Sequence, residues 1–104
     1  MTQDDAPGQQ EAAQSSNIHH DAAAGRFTTS VDGQTGYVEY EQSDGAMAIT
    51  HTVVPDAIGG RGIAARLVEA ALAYARETGR KVNPRCSYAA AFMSKHQEYA
   101  DLRA

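Results

Sequence analysis

The chain has 104 residues, enough for one domain around one hydrophobic core. Its hydrophobic fraction of 42% is ordinary for a globular protein. A formal charge of -4 and a pI near 5.4 argue against a general nucleic-acid binder, which would carry a basic face. The single cysteine, Cys86, excludes an intramolecular disulfide and a cysteine-based zinc site. No apolar stretch is long enough for a membrane span, and the acidic, Gln-rich start does not resemble a signal peptide, so a reducing, cytoplasmic setting is expected.

Residues 1–16 contain almost no large apolar side chain. Such a segment cannot bury enough surface to offset its ordering entropy, and a disordered tail is expected there, with the domain running over 17–104. The composition changes after it. Arg26–Val31 sets Phe27, Thr29 and Val31 against Thr28 and Ser30, the period-two pattern of a strand. Asp32-Gly33 is a turn signal, Tyr37–Glu41 a second strand with Val38 and Tyr40 on one face, Ser43-Asp44-Gly45 a second turn, and Met47–Val54 a third strand. Two Asp-Gly turns between three strands predict an antiparallel meander.

Beyond Pro55 the period changes. Ile63, Ala64, Leu67, Val68, Ala71, Leu72 and Ala75 recur at helical spacing, with Arg66, Glu69, Arg76 and Glu77 between them. The helix should run from about Arg61 to Thr78 and stop at Gly79, a residue suited to a left-handed C-terminal cap. Lys81–Arg85 reads as a short strand, and Ser87 as the cap of a second helix ending near His96. A helix joining two strands of one sheet makes them parallel neighbours, so the fold class expected is α+β: a mixed, mainly antiparallel sheet of about four strands with two helices.

Gly59-Gly60-Arg61-Gly62-Ile63-Ala64 lies between the third strand and the long helix. Glycines admit an anion close to the backbone, the first free N–H groups of the helix point at it, and the helix dipole and Arg61 add positive potential. A pyrophosphate fits such a site; the plain alternative is a flexible connection. No Gly-Lys-Ser/Thr ends the loop, and no G-x-G-x-x-G follows a first strand, which disfavours a P-loop or a dinucleotide fold.

The run HTVVPDAIGGRGIAARLVEAALAYAR, followed by KVNPRCSYAAAFMSKHQEYADL, resembles the small single-domain branch of the GNAT superfamily of N-acetyltransferases. The likeness rests most specifically on His51-Thr52 with Pro55, on Gly60-Arg61-Gly62-Ile63, and on Cys86 with the His96…Glu98-Tyr99 ending. It implies an acetyl-CoA-dependent acyltransferase fold. By that resemblance Gly60, Arg61, Gly62, Ile63 and Ala64 hold the pyrophosphate, and the backbone of Val53 and Val54 pairs with the pantetheine arm. Gly59 is a departure, because the superfamily motif has Arg or Gln there.

Acyl transfer to an amine needs a base, a stabilised carbonyl oxygen and a proton for the leaving thiolate. Cys86 is a candidate acetyl acceptor or proton donor, or else a small buried hydrophobe. His51, read as sharing a face with Met47, Ile49 and Val53, is a candidate base or a packed core histidine. Tyr88 is a candidate acid or a residue packed on the sheet. His96 reads as a helix-end residue, and Arg66, Arg85 and Lys95 as phosphate partners or plain surface charges. His19 and His20 lack the further ligands of a metal site. The function expected is acetyl transfer from acetyl-CoA to an amine that nothing in the sequence identifies. A non-catalytic acetyl-CoA-binding or partner-binding module is the alternative, and a thiol redox sensor built on Cys86 the third. The acceptor side should be open, or completed by a partner subunit.

Overall fold

The computed structural model describes residues 18–104, so the expected disordered segment 1–16 lies outside the described residues. Five strands form one sheet in chain order: β1 (His19–Asp21), β2 (Arg26–Val31), β3 (Gln34–Ser43), β4 (Ala46–Val53) and β5 (Lys81–Pro84). The first four are antiparallel, and β5 lies parallel to β4. Helix α1 (Ile63–Glu77) makes the crossover, and α2 (Ser87–Lys95) follows β5. Two 3-10 turns complete the described residues, Asp56–Ile58 before α1 and Gln97–Leu102 after α2.

The meander follows from its turns. Asp32-Gly33 and Asp44-Gly45 both hold two successive positive φ angles, 52° and 77° in the first, 53° and 78° in the second. That is the turn whose twist matches paired strands, and Asp followed by Gly is the pair that tolerates it. The strands then bury one face only. Phe27, Val38, Tyr40, Met47, Ile49 and Val82 point to the helical side, where α1 adds Ile63, Leu67, Val68, Ala71, Leu72 and Ala75. Each large side chain fully removed from water there contributes about 1.5–3 kcal/mol. The helix ends as expected: Gly79 takes a φ of 70°, and the Arg80 amide reaches back to the Ala75 carbonyl at 2.8 Å.

The sheet has five strands where about four were expected. The addition is β1, a three-residue strand whose period-two pattern is too short to register in the sequence. Aromatic packing holds it. His20 stacks on Phe27 with ring centroids 4.0 Å apart, meets Tyr74 edge-on at 4.4 Å, and shares a hydrogen bond between Nε2 and the Tyr40 hydroxyl. Burial pushes the His20 imidazole below its ordinary value, with Asp21 opposing and His19 adding to the shift. Burial, chiefly, also pushes the Tyr40 phenol up, so it stays protonated.

The meander contains one irregularity. Tyr40 pairs with Ile49 but Glu39 pairs with His51, leaving Thr50 as an extra residue in β4. Such a bulge inverts the in/out alternation beyond it. Met47 and Ile49 are buried, whereas His51 and Val53 turn to the opposite, open face and Thr52 turns to the helical one. His51 therefore does not share a face with Met47 and Ile49, which corrects the strict alternation read from the sequence.

A neutral, half-buried His20 makes stability depend on pH. Its folded value lies below the unfolded one, so the unfolded chain binds the proton more readily, and stability falls as the pH drops through about 6.5. Melting temperatures measured between pH 7.5 and 5 should fall for the native chain. The slope should flatten in His20→Gln.

Candidate functional site

Two features of the backbone meet at one end of the sheet. The first is the glycine loop. Ile58 is buried and anchors it, Gly60 and Gly62 take φ of 76° and 75°, and Gly62 is the residue from which α1 starts. No side chain caps the helix there, so the first-turn amides face outward. Arg61 was expected to add its charge to this anion site. Its guanidinium instead pairs with Asp32 in the β2–β3 turn at 2.8 Å. Arg66, one turn along the helix, lies over the loop, with Nη1 3.4 Å from the Arg61 carbonyl oxygen. A cleft of about 270 Å³ opens here, lined by Val54, Ile58, the loop glycines, Ile63–Ala65 and Tyr88. A second groove of about 200 Å³, between α1 and α2, shares Ala65 and Tyr88 with it and ends at Lys95 and His96.

The second feature is a fork. The last rung joining β4 to β5 is Ile49 with Pro84. The amides of Arg85 and Cys86 then both turn onto the Ile49 carbonyl, at 2.9 and 3.1 Å. Beyond that point β4 runs on to Val53 paired with β3 alone. Cys86, rather than the expected Ser87, is the N-cap of α2: its sulfur accepts the Ala89 amide at 3.4 Å. Thr52, delivered to this side by the bulge, places its hydroxyl 3.3 Å from the same sulfur. On the open face, Glu39 bridges Arg26 and His51.

The matching family model, described as GCN5-related N-acetyl-transferase, covers residues 26–102. The chain belongs to the GCN5-related N-acetyltransferase family. An NMR solution structure of a GCN5-like putative N-acetyltransferase from Staphylococcus aureus is similar, with 27% identity over 84% of this chain and 86% of that one and a TM-score of 0.68. No curated protein matches the chain. The family and α+β fold read from the sequence therefore hold, with the fifth strand as the difference.

The candidate side chains of this family member fall on two sides of the fork. Cys86 is half-buried on the helical side, and Tyr88, 39% exposed, lines both clefts from the first turn of α2. Burial, with Glu69 adding, pushes the Tyr88 phenol up and keeps it protonated. His51 stands on the open face. Arg85 pairs with Glu41 at 3.5 Å, away from the loop. His96 stacks on Phe92 with ring centroids 4.1 Å apart. Two neighbours were missed in the sequence: Thr52 beside the sulfur and Glu39 beside His51. Both depend on the bulge, and no glycine or proline marks it. Among the described residues no cluster of His, Cys, Asp and Glu could hold a metal ion, and no helix is long and apolar enough to cross a membrane.

The loop conformation needs glycine at position 62. A methyl group there would find its nearest neighbour, Arg66 Nη1, at 3.6 Å, so space is available and only the positive φ resists it. Gly62→Ala should cost about 1 kcal/mol in urea unfolding.

Proposed function

We propose that the chain takes acetyl-CoA as donor substrate and transfers its acetyl group to an amine. The observation that carries the reading is the adjacency of the β4/β5 fork to an uncapped, glycine-built helix start. A thioester with a phosphorylated tail needs both: an unpaired strand edge for an amide-bearing arm, and exposed amides for a pyrophosphate. The groups present fit that donor. Gly60, Arg61, Gly62, Ile63 and Ala64 would supply backbone N–H groups to the pyrophosphate, and Val53 and Val54 backbone groups to the arm. Arg66 supplies the charge that Arg61 spends on Asp32. The connected groove leads to Lys95, a cation for the far end of the donor.

The chemistry assigned to the site is direct transfer. The neutral amine attacks the thioester carbonyl, the C–N bond forms as the C–S bond breaks, and a base takes the amine proton. His51 is the candidate base on the open side. The departing thiolate takes a proton from the Tyr88 hydroxyl, which its surroundings keep protonated. Cys86 lines the fork beside the reacting carbonyl. A covalent acetyl-cysteine relay would require the same sulfur to attack, and the test below separates the two.

A second reading, an acetyl-CoA-binding module without turnover, draws on Gly59 at the position where the family motif carries Arg or Gln, and on the diversion of Arg61 to Asp32. Release of free CoA in the presence of an amine panel decides between them.

Titration calorimetry should show one acetyl-CoA per chain, binding more weakly as salt rises because the phosphate contacts are charge-assisted. Absence of heat and of a thermal shift would overturn the reading. Saturating acetyl-CoA should slow iodoacetamide alkylation of Cys86 without leaving a stable acetyl adduct; a hydroxylamine-labile adduct would instead establish the relay. Tyr88→Phe should lower CoA release at least about tenfold and leave acetyl-CoA affinity unchanged.

A further inference from the structure

On the open face of the sheet, Arg26, Glu39 and His51 form a row across β2, β3 and β4, each paired in register with the next. Glu39 is the middle member. Its Oε2 accepts from Arg26 Nε at 2.8 Å and Nη2 at 2.6 Å, while Oε1 lies 3.2 Å from Nδ1 of His51. Arg26 is held in turn, its guanidinium carbon 4.3 Å from the centroid of the Tyr37 ring. The carboxylate is thus fixed from one side and turned to the histidine on the other.

The bulge residue supplies the second neighbour of the ring. Thr50 Oγ1 lies 3.2 Å from the same Nδ1. A hydroxyl has one proton to give, and that of Thr50 goes to the Glu39 backbone carbonyl at 3.3 Å. Only lone pairs remain on Oγ1 for the imidazole, and an ionised carboxylate has only lone pairs as well. Both neighbours of Nδ1 are acceptors, so Nδ1 must carry the proton. In the neutral ring Nε2 is then left with its lone pair, on a side chain 66% exposed and two residues beyond the last rung joining β4 to β5.

We propose that Glu39 is a positioning residue, which with Thr50 holds His51 in the Nδ1–H tautomer so that Nε2 can take the proton from an amine arriving across the open face. This rests on the acetyl-transfer reading for the role of Nε2. The positioning itself is independent of any substrate. The proton balance is simple: the amine gives one proton to Nε2 as its C–N bond forms, and the resulting imidazolium is stabilised by the Glu39 carboxylate at Nδ1. The acceptor therefore approaches from the side opposite the helices, where no element of the described chain covers β3 and β4.

Long-range proton–nitrogen NMR of the free protein, at a pH where His51 is neutral, reads the tautomer directly. The native chain should carry the His51 ring proton on Nδ1. Glu39→Ala combined with Thr50→Val should move it toward Nε2, with amide spectra showing the fold retained. A native ring protonated on Nε2, or a tautomer unmoved in the double variant, overturns the positioning. In the CoA-release assay Glu39→Ala should lower kcat on the order of tenfold with the acetyl-CoA KM unchanged. In a His51→Gln background the same substitution should have no further effect. An undiminished kcat in Glu39→Ala, or an equal loss in the His51→Gln background, rejects the link to catalysis. A native chain that releases no CoA with any amine sinks the acetyl-transfer reading instead, and the ring spectra still decide the positioning.

Discussion

The Ile49 carbonyl accepts two amides, those of Arg85 and Cys86, and in doing so ends the pairing of β4 with β5. Everything at the candidate site is arranged around that divergence. Had β5 continued alongside β4, its backbone would occupy the edge that Thr50–Val53 leaves bare, and α2 could not begin where it does. The fork is possible because Pro84 follows only three residues of β5 and offers no N–H to a ladder. The strand ends at a residue that cannot prolong it, and Arg85 and Cys86 swing onto one shared acceptor.

The helical layer turns that opening into a site with a defined floor. The crossover from β4 to β5 runs through Asp56–Ile58, the glycine turn and α1, so the start of α1 is delivered beside the strand end it left. Burial of Ile58 and Ile63 on either side of the glycines pins both ends of the loop. The loop itself needs few contacts: its shape is carried by two positive φ angles and two apolar anchors. Arg61, the one side chain between the anchors, stays free to pair elsewhere on the surface.

The parts legible in the sequence were those set by local chemistry. Asp-Gly pairs specify their turns, six of the seven apolar positions read at helical spacing form the buried stripe of α1, and Gly79 specifies its end. The rest was hidden for separable physical reasons. β1 is three residues long and is recruited by ring stacking across the sheet, which no short window of sequence records. The bulge at Thr50 inserts a residue without glycine or proline, so alternation misassigned His51 and concealed Thr52 and Glu39. The diversion of Arg61 depends on Asp32, twenty-nine positions away in the chain and brought near only by folding. The cap of α2 was displaced by one residue because a cysteine sulfur does the accepting, a weaker acceptor than the hydroxyl that follows it.

The outer edge of β5 is not left to solvent. Arg103 bridges in parallel to Val82, and the Ala104 amide donates to the Val82 carbonyl at 2.9 Å, with Leu102 buried just before them. A few residues of extended backbone thereby occupy the hydrogen-bonding groups that a strand from another molecule would seek. The far edge, β1, is only three residues long and carries His19 and Asp21 on its exposed positions, too brief and polar to template a ladder. Among the described residues, a sheet with helices on one face only is in this way closed along its two sides, so its open backbone groups lie within the fork rather than along its edges.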